Sequence, residues 1–291
     1  MANLKEIRTR ISSVSSTKKI TSAMKMVSAA KFKKAQNGLI KFRPFNEKIH
    51  QLVEGLFSLK SKDSNLYFSK RKDLRRIAIV LITSNNSMCG AFNANIIKTA
   101  IQTHKSIQQR YNNVEVVFFC LGKKGEEVLK RNKLKVVQVN PAYIDKPKID
   151  YTRELFDSLF AQYKQGKIDR IEIVSNKFKN AATQIQVVDT LLPIPKAKTV
   201  TSKNINNPII EPEPIALLSK LLPYYLINKL HSAILESSAA EHGARMTAMH
   251  QATENASTLL NNLILDYNKV RQAAITNEIL EIVSGANAQK E

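Results

Sequence analysis

Positions 4–14 read LKEIRTRISSV. The apolar residues of this stretch alternate at spacings of three and four: Leu4, Ile7, Ile11 and Val14. Such a stripe is typical of a helix that packs against another helix. The apolar spacing resumes beyond Pro44 at Ile49, so Pro44 is expected to kink the helix rather than to end it. The sequence predicts one helix over residues 3–57, about 80 Å long, which needs a partner helix.

The C-terminal part, residues 215–286, has the same long-helix character. Pro223 lies near its start, no proline follows it, and Gly243 is the only glycine before Gly285. Small side chains dominate the stretch 237–248 and allow another element to approach closely. Because a lone helix is marginal without packing, we expect the two ends of the chain to pair as an antiparallel coiled coil.

The ends of these two helices predict their register. For the register we take the first helix to end at about residue 57 and the last to begin at about residue 212. If both leave the intervening domain at the same height, facing residue numbers sum to about 269. Met24 then lies opposite the region of Arg245. The same register leaves residues after about 267 without a partner helix.

The middle of the chain alternates apolar, β-branched runs with helical stretches. Strands are predicted at 77–82, 114–120, 134–139, 170–174 and 184–191, and helices at 94–109, 124–131 and 151–163. This β-α-β order predicts a mostly parallel sheet with helices on both faces. The last strand follows a short turn, so it should pair antiparallel at an edge.

The predicted fold class is therefore an α/β domain combined with a long antiparallel coiled coil. The N- and C-terminal helices flank an inserted, Rossmann-like, mostly parallel α/β domain. Four segments result: the first helix (1–58), a basic linker (59–76), the α/β domain (77–210) and the last helix (211–291).

Charge is the strongest bulk signal, at a formal net +21 over 291 residues. The first 60 residues hold 13 Lys and Arg against 3 acidic residues, whereas residues 215–291 hold 6 against 7. A surface this basic favours an acidic partner, which could be nucleic acid, an anionic membrane or an acidic protein. No apolar run approaches the roughly 20 residues of a membrane span, and two cysteines fit a reducing compartment.

The sequence offers no convincing catalytic, cofactor or metal site. Gly122-Lys123-Lys124-Gly125 follows a strand but lacks the spacing of a phosphate-binding loop. Cys89 has no histidine near it in sequence, and His242 and His250 are too far apart for one metal. Glu241 and Arg245 are expected to pair on a solvated helix face, where a pair contributes a few tenths of a kcal/mol.

Both ends of the chain resemble the gamma-subunit family of F-type ATP synthases. The stretches that carry the resemblance are ARMTAM (244–249), ATENA (252–256), YNKVRQAAITNE (267–278), ILEIVSGA (279–286), RISSV (10–14) and TKKITSAMKMV (17–27). One turn departs from the family pattern: residues 84–90 read SNNSMCG, where the family has an acidic residue, a basic residue and a first glycine. Family contacts made by this turn are therefore not carried over.

The resemblance implies a central rotor shaft without an active site of its own. Its partners would be the alpha and beta subunits, the epsilon subunit and the membrane ring of proteolipids, with no nucleic acid and no small-molecule substrate. It would lie peripherally on the cytoplasmic side of a bacterial inner membrane. The residues implied in partner contacts are Met24, Lys25, Glu211, Arg245, Gln272 and Thr276.

Two alternatives stand beside this hypothesis. The basic stretch 25–43 could neutralise phosphates, which makes a nucleic-acid-binding coiled-coil protein the main alternative. An α/β enzyme with helical arms is more remote. Salt-sensitive retention on DNA would favour the first alternative, and turnover by the isolated chain would favour the second.

Overall fold

The computed structural model describes residues 4–59, 67–69, 71, 73–111, 113–181, 183–195 and 214–288. In chain order its elements are α1 (Leu4–Leu59), β1 (Arg76–Ile82), α2 (Phe92–Arg110), β2 (Glu115–Leu121), α3 (Lys123–Arg131), β3 (Val136–Gln138), α4 (Ala142–Asp145), α5 (Ile149–Lys164), β4 (Arg170–Phe178), β5 (Gln184–Leu192) and α6 (Pro214–Ala288).

The chain divides into two compact units. One consists of Met1–Ser28 with Met246–Glu291, and the other of Ala29–Arg245. Both long helices contribute to each unit, and neither ends at its internal proline, Pro44 or Pro223, as predicted. The division into four segments stays a prediction. The described residues leave out 60–66 of the predicted linker and 196–213 before the last helix.

The larger unit is built on a five-stranded sheet with the order β3-β2-β1-β4-β5. Strands β1 to β4 are parallel, and β5 pairs antiparallel with β4 at one edge. This confirms the predicted mostly parallel sheet with an antiparallel edge strand. Each predicted strand and helix of this domain is present within a few residues of its bounds. Among the described residues of the domain, the four-residue helix α4 is the one element that was not predicted.

Alternate residues of the central strand β1 face opposite sides of the sheet. Ile77, Ile79 and Leu81 pack with α2 and α3, whereas Ala78 and Val80 pack with α5 and the two long helices. Every residue from 77 to 82 is therefore buried, as expected for a strand covered on both faces. Burying each large apolar side chain contributes about 1.5–3 kcal/mol.

The long helices cover the second face of the sheet. Val53 of α1 and Leu226 and Leu230 of α6 belong to the same buried cluster as the strands. His231 lies between the helices, with its ring 5.2 Å from that of Phe42 and edge-on to it. The coiled coil and the α/β domain thus share one core on this side.

Arg71, which belongs to the predicted linker, forms hydrogen bonds at the amino-terminal end of the sheet. The Arg71 guanidinium donates to Asp169 Oδ1 (2.6 Å) and to the carbonyl of Tyr163 (2.8 Å) at the end of α5. The other Asp169 oxygen accepts the backbone N–H groups of Arg75 and Arg76. Burial alone would raise the pKa of Asp169, but these hydrogen bonds outweigh it and hold that pKa below its usual value.

The smaller unit consists of two antiparallel helix segments. Thr253 Oγ1 donates to Thr21 Oγ1 (2.9 Å), and Arg8 Nη2 donates to Tyr267 Oη (3.0 Å). These pairs sum to 274 and 275 rather than the predicted 269, so Met24 lies at the level of about residue 250. The predicted register was off by less than a heptad, because α1 ends and α6 begins two residues later than predicted, at Leu59 and Pro214.

The last part of α6 is an exposed helix. Every residue from 271 to 285 is exposed, including several large apolar side chains: Ile275, Ile279, Leu280, Ile282 and Val283. Among the described residues, none of α1 lies opposite this stretch in the observed register, as the sequence predicted. We call residues 271–285 the tip.

Burial of His231 predicts an acid-sensitive core. Burial lowers the pKa of His231 to about 4 from an ordinary 6.5, and its Nδ1 lies 2.8 Å from Thr152 Oγ1. The unfolded chain therefore binds a proton that the folded chain excludes. We expect this residue to lower the unfolding free energy by up to about 3 kcal/mol as pH falls from 6.5 to 4.

Chemical denaturation between pH 8 and 4 measures this effect. His231→Gln should show a shallower loss of stability with falling pH than the wild type. The matched substitution is His250→Gln, at an exposed position of the same helix. A wild-type pH dependence in His231→Gln would contradict the assignment.

The tip should be the least protected part of α6 in the free chain. A helical segment without tertiary contacts is marginal in water, so amides 271–285 should exchange much faster than amides 222–245 of the same helix. Hydrogen exchange followed by mass spectrometry measures both in one sample. Equal protection of the two segments would show that the tip is covered in the free chain.

Candidate functional site

The carboxyl ends of β1 and β4 meet where a ligand site is expected in this class of fold. Chain order runs from β1 to β2 and β3 on one side, and β4 lies on the other side of β1. Such a reversal opens a crevice at the carboxyl edge of a parallel sheet, where doubly wound proteins bind their ligands.

Helix α6 fills the crevice. Ser237 Oγ accepts the backbone N–H of Asn176 on β4 (3.2 Å) and donates to its carbonyl (3.4 Å). Ala240 and Ala244 pack against Cys89, in the turn that follows β1, and Phe92, at the start of α2. The small residues that the sequence analysis noted on α6 are thus the ones that let this helix lie against the sheet.

The backbone at Gly243 shows how close this approach is. A Cβ atom at this position would lie 3.2 Å from Cα and O of Ala181 in the β4–β5 turn, and 3.4 Å from the Phe32 ring. A Cβ atom in a protein rarely lies closer than 3.4 Å to a neighbouring heavy atom. Glycine therefore allows α6 to touch the turn directly.

The glycine-containing start of α3 does not form an anion cradle. Its backbone N–H groups are used within the chain: Lys123 donates to Asn85 Oδ1 (3.2 Å), Lys124 to the Ser84 carbonyl (3.2 Å) and Gly125 to Thr83 Oγ1 (3.0 Å). These are the donors that a phosphate would need. This geometry agrees with the prediction from sequence that residues 122–125 are not a phosphate-binding loop.

The turn that departs from the family pattern, residues 84–90, is held by its own polar groups. Ser84 Oγ donates to the Asn86 carbonyl (2.6 Å), and Asn93 Nδ2 donates to Ser84 Oγ (2.7 Å). Met88 adopts a left-handed conformation with φ 65°, and its side chain is exposed. We call residues 84–90 the switch-point turn.

Cys89 in this turn does not have the features of a nucleophile. Burial raises the pKa of its thiol, and the hydrogen bond to Ser84 only partly offsets this. Burial likewise raises the pKa of Cys120 to about 12. Both thiols are protonated at neutral pH, so neither is a thiolate ready to attack a substrate.

Arg245 connects α6 to the switch-point turn. Its Nη2 donates to the carbonyls of Asn86 (3.0 Å) and Ser87 (3.3 Å), and its Nη1 pairs with Glu241. Both side chains are 10% exposed. The predicted pairing of Glu241 with Arg245 is present, but the predicted solvated face is wrong, because the turn and the sheet edge cover it.

Comparison with known proteins decides the family. A family profile described as ATP synthase matches residues 3–289. The "ATP synthase gamma chain" of Flavobacterium psychrophilum is 46% identical over 290 residues and covers 100% of both chains. That of Bacteroides thetaiotaomicron is 40% identical, covering 98% of this chain and 99% of its own. The chain belongs to the ATP synthase gamma-chain family.

Solved structures share the fold. A chain of the Euglena gracilis mitochondrial ATP synthase, in an OSCP/F1/c-ring structure, is 18% identical with a TM-score of 0.65, covering 98% of this chain and 94% of its own. A chain of the Tetrahymena thermophila central stalk/c-ring structure is 24% identical with a TM-score of 0.57, covering 80% and 99%. Long terminal helices flanking a mostly parallel sheet are thus the fold of these chains.

Family membership settles the class of function. The chain is a gamma subunit of an F-type ATP synthase, a non-catalytic subunit, and the nucleic-acid alternative is not favoured. In the described part of the chain, no His, Cys, Asp or Glu side chains cluster as metal ligands. Within the same residues, no helix combines the length and hydrophobicity needed to cross a bilayer.

The described residues predicted to contact partners are distributed over both units. Met24 and Lys25 are half-buried on α1 in the smaller unit, and Gln272 and Thr276 are exposed on the tip. Thr276 Oγ1 donates to the carbonyl of Gln272 (2.9 Å). Arg245 lies in the larger unit. Glu211 lies outside the described residues.

Sequence reasoning missed the residues that hold α6 in the crevice. Ser237, Asn176 and the carbonyls of the switch-point turn carry no motif, and their partners lie 61 to 159 residues away in sequence. The one usable signal was the run of small residues on α6, which indicated close approach without showing against what.

The filled crevice predicts that the isolated chain does not bind ATP. The space that a nucleotide would need at the carboxyl edge is taken by α6, and the α3 donors are used internally. Calorimetric titration of pure chain, free of alpha and beta subunits, should give no stoichiometric binding at millimolar ATP. A saturable one-to-one isotherm would contradict this, and hydrolysis by the same sample would revive the enzyme alternative.

Proposed function

We propose that the chain is the rotating shaft that couples ion flow through a membrane ring to ATP synthesis in an alpha/beta hexamer. The observation that carries this proposal is the tip. Fifteen consecutive helical residues are exposed with five large apolar side chains among them. A helix that exposes such side chains needs an external cover, and a ring of subunits around the shaft provides one.

The coupling follows from asymmetry. A pair of helices has no threefold symmetry, so it cannot contact three like catalytic sites equally. Each site then adopts the conformation that its own contact with the shaft favours. Turning the shaft passes these conformations around the ring, and the shaft itself needs no active site.

The positive charge of α1 supports the proposal that acidic protein surfaces surround the shaft. Residues 1–60 carry 13 Lys and Arg against 3 acidic residues, nearly half of the net charge of +21, and α1 exposes Lys33, Lys34 and Lys41 along one face. Acidic loops on the beta subunits would complement this face. The same attraction would hold the shaft in place without a fixed, interlocked contact.

Met24, Lys25, Gln272 and Thr276 face the hexamer, and Arg245 contributes to the same contacts. The α/β unit and the connector near Glu211 bind the epsilon subunit and the proteolipid ring. The complex is membrane-bound, and the chain lies peripherally on the cytoplasmic side of a bacterial inner membrane.

Reconstitution tests this function. Alpha and beta subunits mixed with the chain should give a complex with rotary ATP hydrolysis, and affinity purification of the chain from its host should recover alpha, beta, epsilon and proteolipid subunits. Amides 271–285 should become protected in that complex. Recovery of nucleic acid without an ATPase partner would overturn the proposal.

Gln272→Ala should slow turnover more than it weakens assembly. The side chain is exposed on the tip and offers directional hydrogen bonds to a partner. Loss of one such bond at the slowest step lowers the rate by roughly two- to tenfold. ATP hydrolysis and ion pumping by purified complexes measure the effect.

The control for this variant is Gln251→Ala, the same substitution at an exposed position of α6 in the same unit. It should leave turnover near the wild-type value. Unaltered turnover and coupling in Gln272→Ala complexes would show that Gln272 has no role in rotation.

A further inference from the structure

One cation joins two distant parts of the larger unit. Arg245 is 8% exposed, and its guanidinium lies between Glu241 on its own helix and the carbonyls of Asn86 and Ser87 on the switch-point turn. The planar fork of a guanidinium suits such shared contacts, because its N–H groups point in fixed directions. Charged donors also make the stronger hydrogen bonds.

The turn needs an external support. Met88 lies in the left-handed region at φ 65°, which disfavours residues with a Cβ. Such a conformation persists only where the surroundings over-determine it. Helices α2 and α3 bind the first residues of the turn, at Ser84 and Asn85. Arg245 binds the middle of the turn from α6, because it donates to the carbonyls of Asn86 and Ser87.

The apolar contacts next to Arg245 involve small side chains, so they contribute little to fixing the position of α6. Ala240 and Ala244 present only methyl groups to Cys89 and Phe92, and Gly243 presents none to Ala181. A smooth surface of small residues fits closely but does not interlock. The polar contacts at the two ends of this stretch, at Ser237 and at Arg245, add directed interactions that help to fix the position of α6.

We propose that Arg245 is a positioning residue that fastens the switch-point turn to α6, so that α6 and the carboxyl edge of the sheet turn as one body. The rotary part of this statement rests on the proposed function, and the positioning part does not. Glu241 orients the guanidinium, and Ser237 secures the other end of the same stretch to β4.

The isolated full chain tests the positioning role without any partner. Hydrogen exchange of the amides of Ser84, Lys123 and Lys124, whose hydrogen bonds are made by or to the turn, should rise about tenfold or more in Arg245→Ala, the effect of losing charged hydrogen bonds. Exchange in β1 and β4 should change little. Arg245→Lys keeps the charge but not the fork, so it should give an intermediate increase. The matched control, Glu254→Gln, breaks an exposed ion-pair position on the same helix.

If Arg245→Ala unfolds the chain broadly, hydrogen exchange of the milder variants Arg245→Lys and Glu241→Gln tests the positioning role instead. Faster exchange confined to the amides of Ser84, Lys123 and Lys124 in either variant supports the proposal. Wild-type protection of these amides in both variants overturns it.

The assembled complex tests the rotary part. A bead attached to α3 through Lys130→Cys, an exposed position, reports the angle of the α/β unit while the hexamer is fixed to a surface. Arg245→Ala should broaden the angular distribution during catalytic pauses, and Glu254→Gln should not. An unchanged distribution overturns the rotary part. Failure of the unmodified chain to support rotation would instead overturn the proposed function and leave the exchange result standing.

Discussion

Neither long helix can bury its apolar face alone. Each end of the chain therefore depends on the other, and the α/β domain between them must hold both where they enter and leave it. The core reflects this, because Val53 of α1 and Leu226 of α6 belong to the same buried cluster as the sheet. Removing either helix would expose the sheet face as well as the remaining helix.

The α/β sheet serves a purpose that its topology alone does not indicate. A reversal of strand order usually opens a ligand crevice, yet here the crevice receives a helix of the same chain. Ser237 and Arg245 supply the polar contacts, and Ala240 and Gly243 allow the approach. The absence of a nucleotide fingerprint in the sequence and the filled crevice are two aspects of one arrangement.

Much of this could be predicted because it is local in sequence. Periodic apolar residues marked both long helices and every strand, and the register followed to within a heptad. The burial of Glu241 and Arg245 could not be predicted, because i,i+4 spacing shows that two side chains can meet but not what packs over them. Helix α4 was missed for a related reason: four residues are too few to show a period.

The contact between Arg8 and Tyr267 joins residues 259 positions apart in the sequence. Contacts of such separation form late in folding, since a long chain must first be ordered or closed. During synthesis the first helix is made long before its partner, and its apolar stripe has nothing to pack against until nearly the whole chain has been made. The shaft is thus the part of the molecule completed last, although it contains the residues made first.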